Sequence, residues 1–190
     1  MKFLPTYCVK HPQPFHLINR KESMKIVRSL LLSSALLVIG TAWAAAQSLS
    51  TFGNMLSTPT GEQKSVAQIG AGKVTIVSFW ATWCKPCKAE MAAVAPKYDE
   101  LKAKGVEYIA VSIDNTKTMA KVAPYLASKG YQFPVLLDPN SEVFRAANGT
   151  DVPYTLVFKS DGTLHAKHNG FLEGDEDKLV EEAIALTKPE

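Results

Sequence analysis

The stretch FWATWCKPCKAEM, residues 79–91, contains two cysteines that are separated by two residues. It overlaps the end of the apolar run Val74–Trp80, whose β-branched and aromatic residues are typical of a strand buried on both faces. The residues after the cysteines have the apolar periodicity of an amphipathic helix, at Met91, Val94, Tyr98 and Leu101. Pro96 lies inside this periodic segment and is expected to kink the helix. The cysteines are therefore predicted to lie where a central strand passes into a helix.

The rest of the chain alternates predicted strands and helices. Strands are predicted at residues 106–113, 133–137, 154–159 and 163–168, and helices near residues 117–129, 141–147 and 175–186. The last two strands flank the sequence SDG, which indicates a hairpin. Asp114, which follows the strand at 106–113 in the sequence VSID, is expected to cap a helix. The alternation predicts an α/β fold with parallel strands, preceded at residues 47–72 by a loose lead-in with one hairpin.

The charge of the chain is concentrated at its N-terminus. Residues 1–46 contain six Lys or Arg and one Glu, a net charge of +5. Because the whole chain has a net charge of +3, the remaining residues carry −2. Because the remainder has no basic excess, no nucleic acid partner is expected.

A secretory signal peptide is predicted at residues 24–46. Lys25 and Arg28 form a positive region, an apolar run follows, and the small residues before Gln47 are typical of a cleavage site. Residues 1–23 are predicted to be an upstream extension, and residues 47–190 the exported domain. An uncleaved membrane anchor is the alternative, because the apolar run is near the lower length limit of a spanning helix. The protein is thus expected in the periplasm or another extracytoplasmic space, soluble after cleavage or anchored.

Export would leave Cys84 and Cys87 as the cysteines of the mature chain, since Cys8 precedes the signal peptide. A structural zinc site needs four ligands, and the mature chain has no second cysteine pair; His165 and His168 lie on a predicted hairpin strand. A purely structural disulfide would close too small a loop to add much stability. Redox chemistry is therefore favoured over both alternatives, with no metal and no cofactor.

The predicted helix start suits a reactive thiol. Cys84 would meet the unpaired N–H groups and the positive end of the helix dipole, which lower the pKa of a thiol. Pro86 suits the first helical turn, where its missing N–H costs nothing. Cys87 would lie one turn later and be less exposed. We therefore expect Cys84 to attack a partner disulfide and Cys87 to resolve the mixed disulfide.

The segments FWATWCKPCKAEM, VPYTLVF and SDGTL together resemble the thioredoxin superfamily, and within it the TlpA/ResA-like exported thiol-disulfide oxidoreductases. The similarity covers roughly residues 66–186. It implies a thioredoxin-like α/β fold, with a central mixed sheet flanked by helices and an inserted strand–helix unit at residues 133–147 before a cis-proline. Pro153, preceded by Val152, matches that proline. In the family, this loop lies beside the dithiol and offers backbone hydrogen bonds to the substrate chain.

The resemblance also implies roles for the surrounding side chains. In ResA-like proteins a glutamate at the position of Glu90 tunes the cysteines and assists proton transfer; a solvated helix glutamate is the alternative. Thioredoxin has a buried aspartate where this chain has Ser78, which makes Glu90 the stronger candidate. Trp80 and Trp83 are expected to pack and shield around the dithiol rather than take part in the chemistry. The predicted substrate-binding residues are Trp83, Pro86, Val152 and Pro153.

Three functions remain open from the sequence. The first is a dithiol reductase of the type that serves cytochrome c maturation, which acts on disulfide-bearing client proteins and is fed by a membrane electron donor of the thiol-disulfide type. The second is a disulfide oxidant or isomerase, because the residues between the cysteines do not fix the reduction potential. The third is a non-catalytic metallochaperone module. We expect a monomer.

Overall fold

The structure, a computed structural model, describes residues 47–188. The predicted extension at 1–23, the predicted signal peptide at 24–46 and Cys8 lie outside the described residues. Within residues 47–188, no helix is both long enough and apolar enough to cross a membrane.

A seven-stranded mixed sheet forms the centre of the fold. Its strands are β1 (Leu56–Ser57), β2 (Gln63–Lys64), β3 (Val74–Trp80), β4 (Val106–Ser112), β5 (Val135–Leu137), β6 (Tyr154–Phe158) and β7 (Leu164–Asn169). They lie in the order β2-β1-β5-β4-β3-β6-β7. The strands β3, β4 and β5 are parallel, whereas β6 runs antiparallel to β3 and pairs with β7 in a hairpin. The predicted parallel core and terminal hairpin are therefore confirmed.

Strand β3 lies between β4 and β6, and each of its seven residues is buried. Its side chains alternate between the two faces of the sheet, so Ile76 and Trp80 enter one core and Val77 and Phe79 the other. Burial on both faces explains the near-continuous apolar sequence of the strand.

Helices cover both faces of the sheet. They are α1 (Val66–Gly70), α2 (Lys85–Val94), α3 (Tyr98–Ala103), α4 (Val122–Lys129), α5 (Glu142–Ala146) and α6 (Asp175–Ala185). Residues of α2, α3, α4 and α6 share one core with β3, and residues of α1 and α5 share the other. The predicted helix does not continue through Pro96 with a kink but is divided there, because the 3-10 turn Ala95–Lys97 separates α2 from α3.

The inserted unit predicted at residues 133–147 is present as β5 and α5, and it precedes a cis peptide bond between Val152 and Pro153. The lead-in contains the predicted hairpin, β1 with β2, but also the unpredicted helix α1. Ser65 and Gln68 form a capping box at the start of α1, with the Ser65 side chain accepting the N–H of Gln68.

Candidate active site

Cys84 and Cys87 form a disulfide at the N-terminus of α2, with their Cα atoms 5.4 Å apart. Cys84 is the residue that precedes the first helical turn, and its sulfur accepts the backbone N–H of Cys87 at 3.2 Å. Pro86 lies in the first turn, as predicted. The N–H group and the positive end of the helix dipole stabilise negative charge on sulfur. Once the disulfide is reduced, this position favours a thiolate at Cys84.

The two tryptophans beside the cysteines lie in opposite environments. Trp80 is fully buried, so the packing role expected for it is confirmed. Trp83 is 61% exposed, so it is not packed into the core, and its expected shielding of the dithiol stays a prediction. A large, exposed aromatic side chain next to a reactive cysteine is available to contact another molecule.

The loop that contains the cis peptide bond lies beside the disulfide. The carbonyl oxygen of Val152 is 3.6 Å from the sulfur of Cys84. Pro153 is buried, and its carbonyl oxygen accepts the N–H of Gly170 at 2.9 Å. The structure therefore brings the predicted residues Cys84, Val152 and Pro153 together, although they are far apart in the sequence.

Glu90 is buried beneath the start of α2, with 2% of its surface exposed, so the solvated alternative is wrong. One of its carboxylate oxygens accepts hydrogen bonds from three hydroxyl groups, those of Ser78 at 2.7 Å, Thr155 at 3.1 Å and Tyr108 at 3.2 Å. The three donors come from the adjacent strands β3, β6 and β4. Ser78, which replaces the thioredoxin aspartate, is thus a partner of Glu90.

Burial raises the pKa of Glu90 above its ordinary value, and this effect outweighs the opposing hydrogen bonds from its three hydroxyl donors. Glu90 follows Cys87 by three residues, so the two side chains lie on the same face of α2. A buried carboxyl group with a raised pKa is suited to exchanging a proton with a neighbouring thiol.

Asp114 was expected to cap a helix, and this prediction is wrong. Its buried carboxylate accepts hydrogen bonds from the backbone N–H of Thr82 at 2.7 Å and from the Thr82 hydroxyl at 2.6 Å. The hydroxyl of Ser112 donates to the same carboxylate at 2.9 Å. Asp114 therefore anchors the loop that leads to Cys84. The adjacency of β3 and β4 could have revealed this role, since the carboxyl ends of neighbouring parallel strands meet at one edge of the sheet.

The two histidines of β7 approach one carboxylate on α6. The Nε2 atom of His168 is 2.8 Å from Glu182, and that of His165 is 3.4 Å from it. In the part of the chain that the structure describes, no group of three or more His, Cys, Asp or Glu side chains could hold a metal ion.

Comparisons with known proteins agree with this geometry. Residues 48–167 match the model of the AhpC/TSA family. The chain is 31% identical over 118 residues to the thiol-disulfide oxidoreductase ResA of Bacillus subtilis, covering 62% of this chain and 63% of that protein. It is 39% identical over 104 residues to ResA of Oceanobacillus iheyensis, covering 55% of this chain and 53% of that protein. The matches therefore span less than two thirds of each relative.

The fold is also similar to solved structures. A thioredoxin-like protein from Porphyromonas gingivalis superposes with a TM-score of 0.63 and 32% sequence identity. The superposition covers 74% of this chain and 94% of that protein.

Proposed function

The chain belongs to the AhpC/TSA family, and on that premise we propose that it is an exported thiol-disulfide oxidoreductase that reduces disulfides in partner proteins. The observation that carries the proposal is the Cys84–Cys87 disulfide at the start of α2, with the buried carboxyl group of Glu90 one turn further along. The names of the relatives, which are thiol-disulfide oxidoreductases, support it.

The first step uses Cys84. Its thiolate attacks one sulfur of the partner disulfide, which breaks, and a mixed disulfide forms between Cys84 and that sulfur. The other partner sulfur leaves as a thiolate and takes a proton from solvent. Trp83 and Pro86, both exposed, form with the Val152–Pro153 loop the surface that contacts the partner chain. The Val152 carbonyl, which lies next to the Cys84 sulfur, accepts a backbone hydrogen bond from that chain.

The second step uses Cys87 and Glu90. The thiol of Cys87 transfers its proton to the Glu90 carboxylate, and the resulting thiolate attacks the sulfur of Cys84. The mixed disulfide breaks, the partner leaves with its second thiol, and the Cys84–Cys87 disulfide forms again. The partner has gained two electrons and the enzyme has lost them. A membrane donor of the thiol-disulfide type then restores the dithiol, so no cofactor is needed.

The finer assignments belong to the same proposal. The domain at residues 47–190 acts as a monomer outside the cytoplasm. It is either released by cleavage of the predicted signal segment at 24–46 or held at the membrane by that segment. Its clients are proteins that must keep cysteines reduced, as in cytochrome c maturation. A disulfide oxidant or isomerase would use the same atoms in the opposite direction, and the reduction potential separates the two.

Trapping with insulin, a soluble protein with accessible disulfides, tests the chemistry. When the reduced protein is mixed with insulin, wild type should reduce it and Cys87→Ser should accumulate a mixed disulfide that dithiothreitol releases. Cys84→Ser is the matched control and should form no adduct. An adduct with Cys84→Ser but not with Cys87→Ser, or no reduction by wild type, would show that the proposal is wrong.

A further inference from the structure

A cavity of about 300 Å³ links the buried Glu90 carboxyl group to the partly exposed β7 and the start of α6. Its lining includes Glu90, Thr155 and His168. A water molecule occupies about 30 Å³ in the liquid, so the cavity has room for several. Its walls provide the polar groups that such waters need. The cavity therefore connects the Glu90 carboxyl group with solvent, although only 2% of the surface of Glu90 is exposed.

The position of His168 relative to Glu90 follows from the sheet. Thr155 on β6 lies directly opposite His168 on β7, and its hydroxyl donates to Glu90 at 3.1 Å. Directly opposite residues of an antiparallel pair have Cβ atoms about 5 Å apart. The His168 side chain therefore lies next to Thr155, which donates a hydrogen bond to Glu90, and both side chains line the same cavity.

Glu182 holds the imidazole of His168 at the outer side. The Nε2 atom of His168 is 2.8 Å from the Glu182 carboxylate, and the His168 side chain is 43% exposed. A histidine can take up a proton at one ring nitrogen and release a proton from the other. Because Glu182 contacts Nε2, the Nδ1 atom remains for water in the cavity.

We propose that His168 relays the proton between Glu90 and solvent through this cavity. The inference rests on the proposed function, in which Glu90 takes the proton of Cys87. The proton then passes from the Glu90 carboxyl group through cavity water to the neutral imidazole, and from the imidazolium to solvent. Glu90 returns to its carboxylate form and no electrons move. His168 acts through Glu90 and does not touch the reacting sulfur atoms, so it is a positioning residue and not a catalytic residue.

The charges around His168 support this direction. Once the proton has reached His168, the positive charge on the imidazole lowers the pKa of Glu90 and so favours the carboxylate form that the relay restores. The titratable and charged groups that face this region come from α2, β7 and α6: Glu90, His165, Lys167, Asp175, Lys178 and Glu182.

His165 is a matched control for His168, and it lies at the β-bulge opposite Val157 and Phe158. His165 is the extra residue of β7 at this irregularity, and its Nε2 atom also approaches Glu182. It is not among the residues that line the cavity. His165 and His168 thus share a partner and differ in their access to Glu90.

The reaction of the reduced protein with 5,5′-dithiobis(2-nitrobenzoate) separates the two thiols in time. The first release of thionitrobenzoate reports attack by Cys84, and the second reports attack by Cys87 on the mixed disulfide. Because the proton returns from Glu90 to Cys87 unless it is carried away, His168→Gln should lower the amount of Cys87 thiolate and slow the second phase about tenfold near pH 7, and it should leave the first phase unchanged. His165→Gln should change neither phase. Added imidazole should restore the second phase of His168→Ala, as a lost relay predicts and a lost packing contact does not.

Equal second-phase rates in His168→Gln and His165→Gln, or a failure of imidazole to accelerate His168→Ala, would overturn the relay. These outcomes leave the proposed function intact. A wild-type protein that releases one thionitrobenzoate and never the second would instead overturn resolution by Cys87, and with it the proposed function.

Discussion

At the scale of single residues, the proposed chemistry depends on Glu90 being a buried acid. Its place on the helix could be predicted, because a spacing of three residues from Cys87 fixes a shared face. Its hydroxyl partners could not be predicted. Ser78, Tyr108 and Thr155 come from three strands, and they meet at one oxygen only through the register of the sheet.

The raised pKa of Glu90 predicts how the stability of the folded protein depends on pH. Protonated Glu90 is favoured in the folded state, so its contribution is present in full below the ordinary pKa of 4.5 and is lost as the pH rises through the folded-state pKa. Glu90→Gln keeps an oxygen that accepts the three hydroxyl bonds and cannot ionise. The free energy of unfolding of Glu90→Gln minus that of wild type should therefore increase from pH 4 to pH 8, so that the variant gains stability relative to wild type.

Urea denaturation of the oxidised proteins at several pH values measures this difference. Glu100→Gln is the control, because Glu100 is exposed and its salt bridge with Lys104 lowers its pKa. Its pH trend should be small and of opposite sign. A Glu90→Gln variant whose relative stability falls as the pH rises would contradict burial as the dominant cause.

The same substitution should change the kinetics of resolution. Without a carboxylate to accept the proton of Cys87, the second release of thionitrobenzoate should slow by about 100-fold, the lower end of the range for general acid–base catalysis. The first release, which depends on Cys84, is the internal control and should change much less. Unchanged second-phase rates across pH 6 to 8 would exclude Glu90 as the proton acceptor.

At the scale of elements, the end of β4 fixes the loop that begins α2. The local signals of strand, helix start and first-turn proline predicted where Cys84 lies. They did not predict Asp114 as the anchor of Thr82, because that contact joins segments 32 residues apart. The helix α1 was missed for another reason: it has five residues and little apolar periodicity, although the capping-box pattern of Ser65 and Gln68 was present in the sequence.

Asp114→Ala should lower the free energy of unfolding by about 3 kcal/mol, because it leaves the buried Ser112 hydroxyl and the half-buried donors of Thr82 without their charged acceptor. Asp161 offers a close control: it accepts the N–H and hydroxyl of Thr163 as Asp114 accepts those of Thr82, but it is exposed. Asp161→Ala should have a much smaller effect in the same urea titration. Equal losses in the two variants would mean that burial of the Thr82 anchor adds nothing to stability.

At the scale of the whole molecule, the fold assembles one site from distant parts of the chain. The parallel strands and the hairpin were predictable, because each follows from local sequence patterns. The pairing of β1 with β5 and the bulge at His165 were not, since both depend on contacts that no short segment specifies. The β1–β5 pairing extends one side of the sheet, whereas the pairing of β7 with β6 at the opposite edge brings His168 to the cavity beside Glu90.

The reduction potential of the Cys84–Cys87 disulfide is the measurement that tests the central claim most directly. The protein would be equilibrated with dithiothreitol or glutathione buffers of known potential, and its free thiols trapped and counted. A reductase fed by a membrane donor predicts a value near the thioredoxin end of the scale, about −270 mV. A value near the DsbA end, about −120 mV, would contradict the account, because the protein would then donate its disulfide and electrons would flow in the opposite direction.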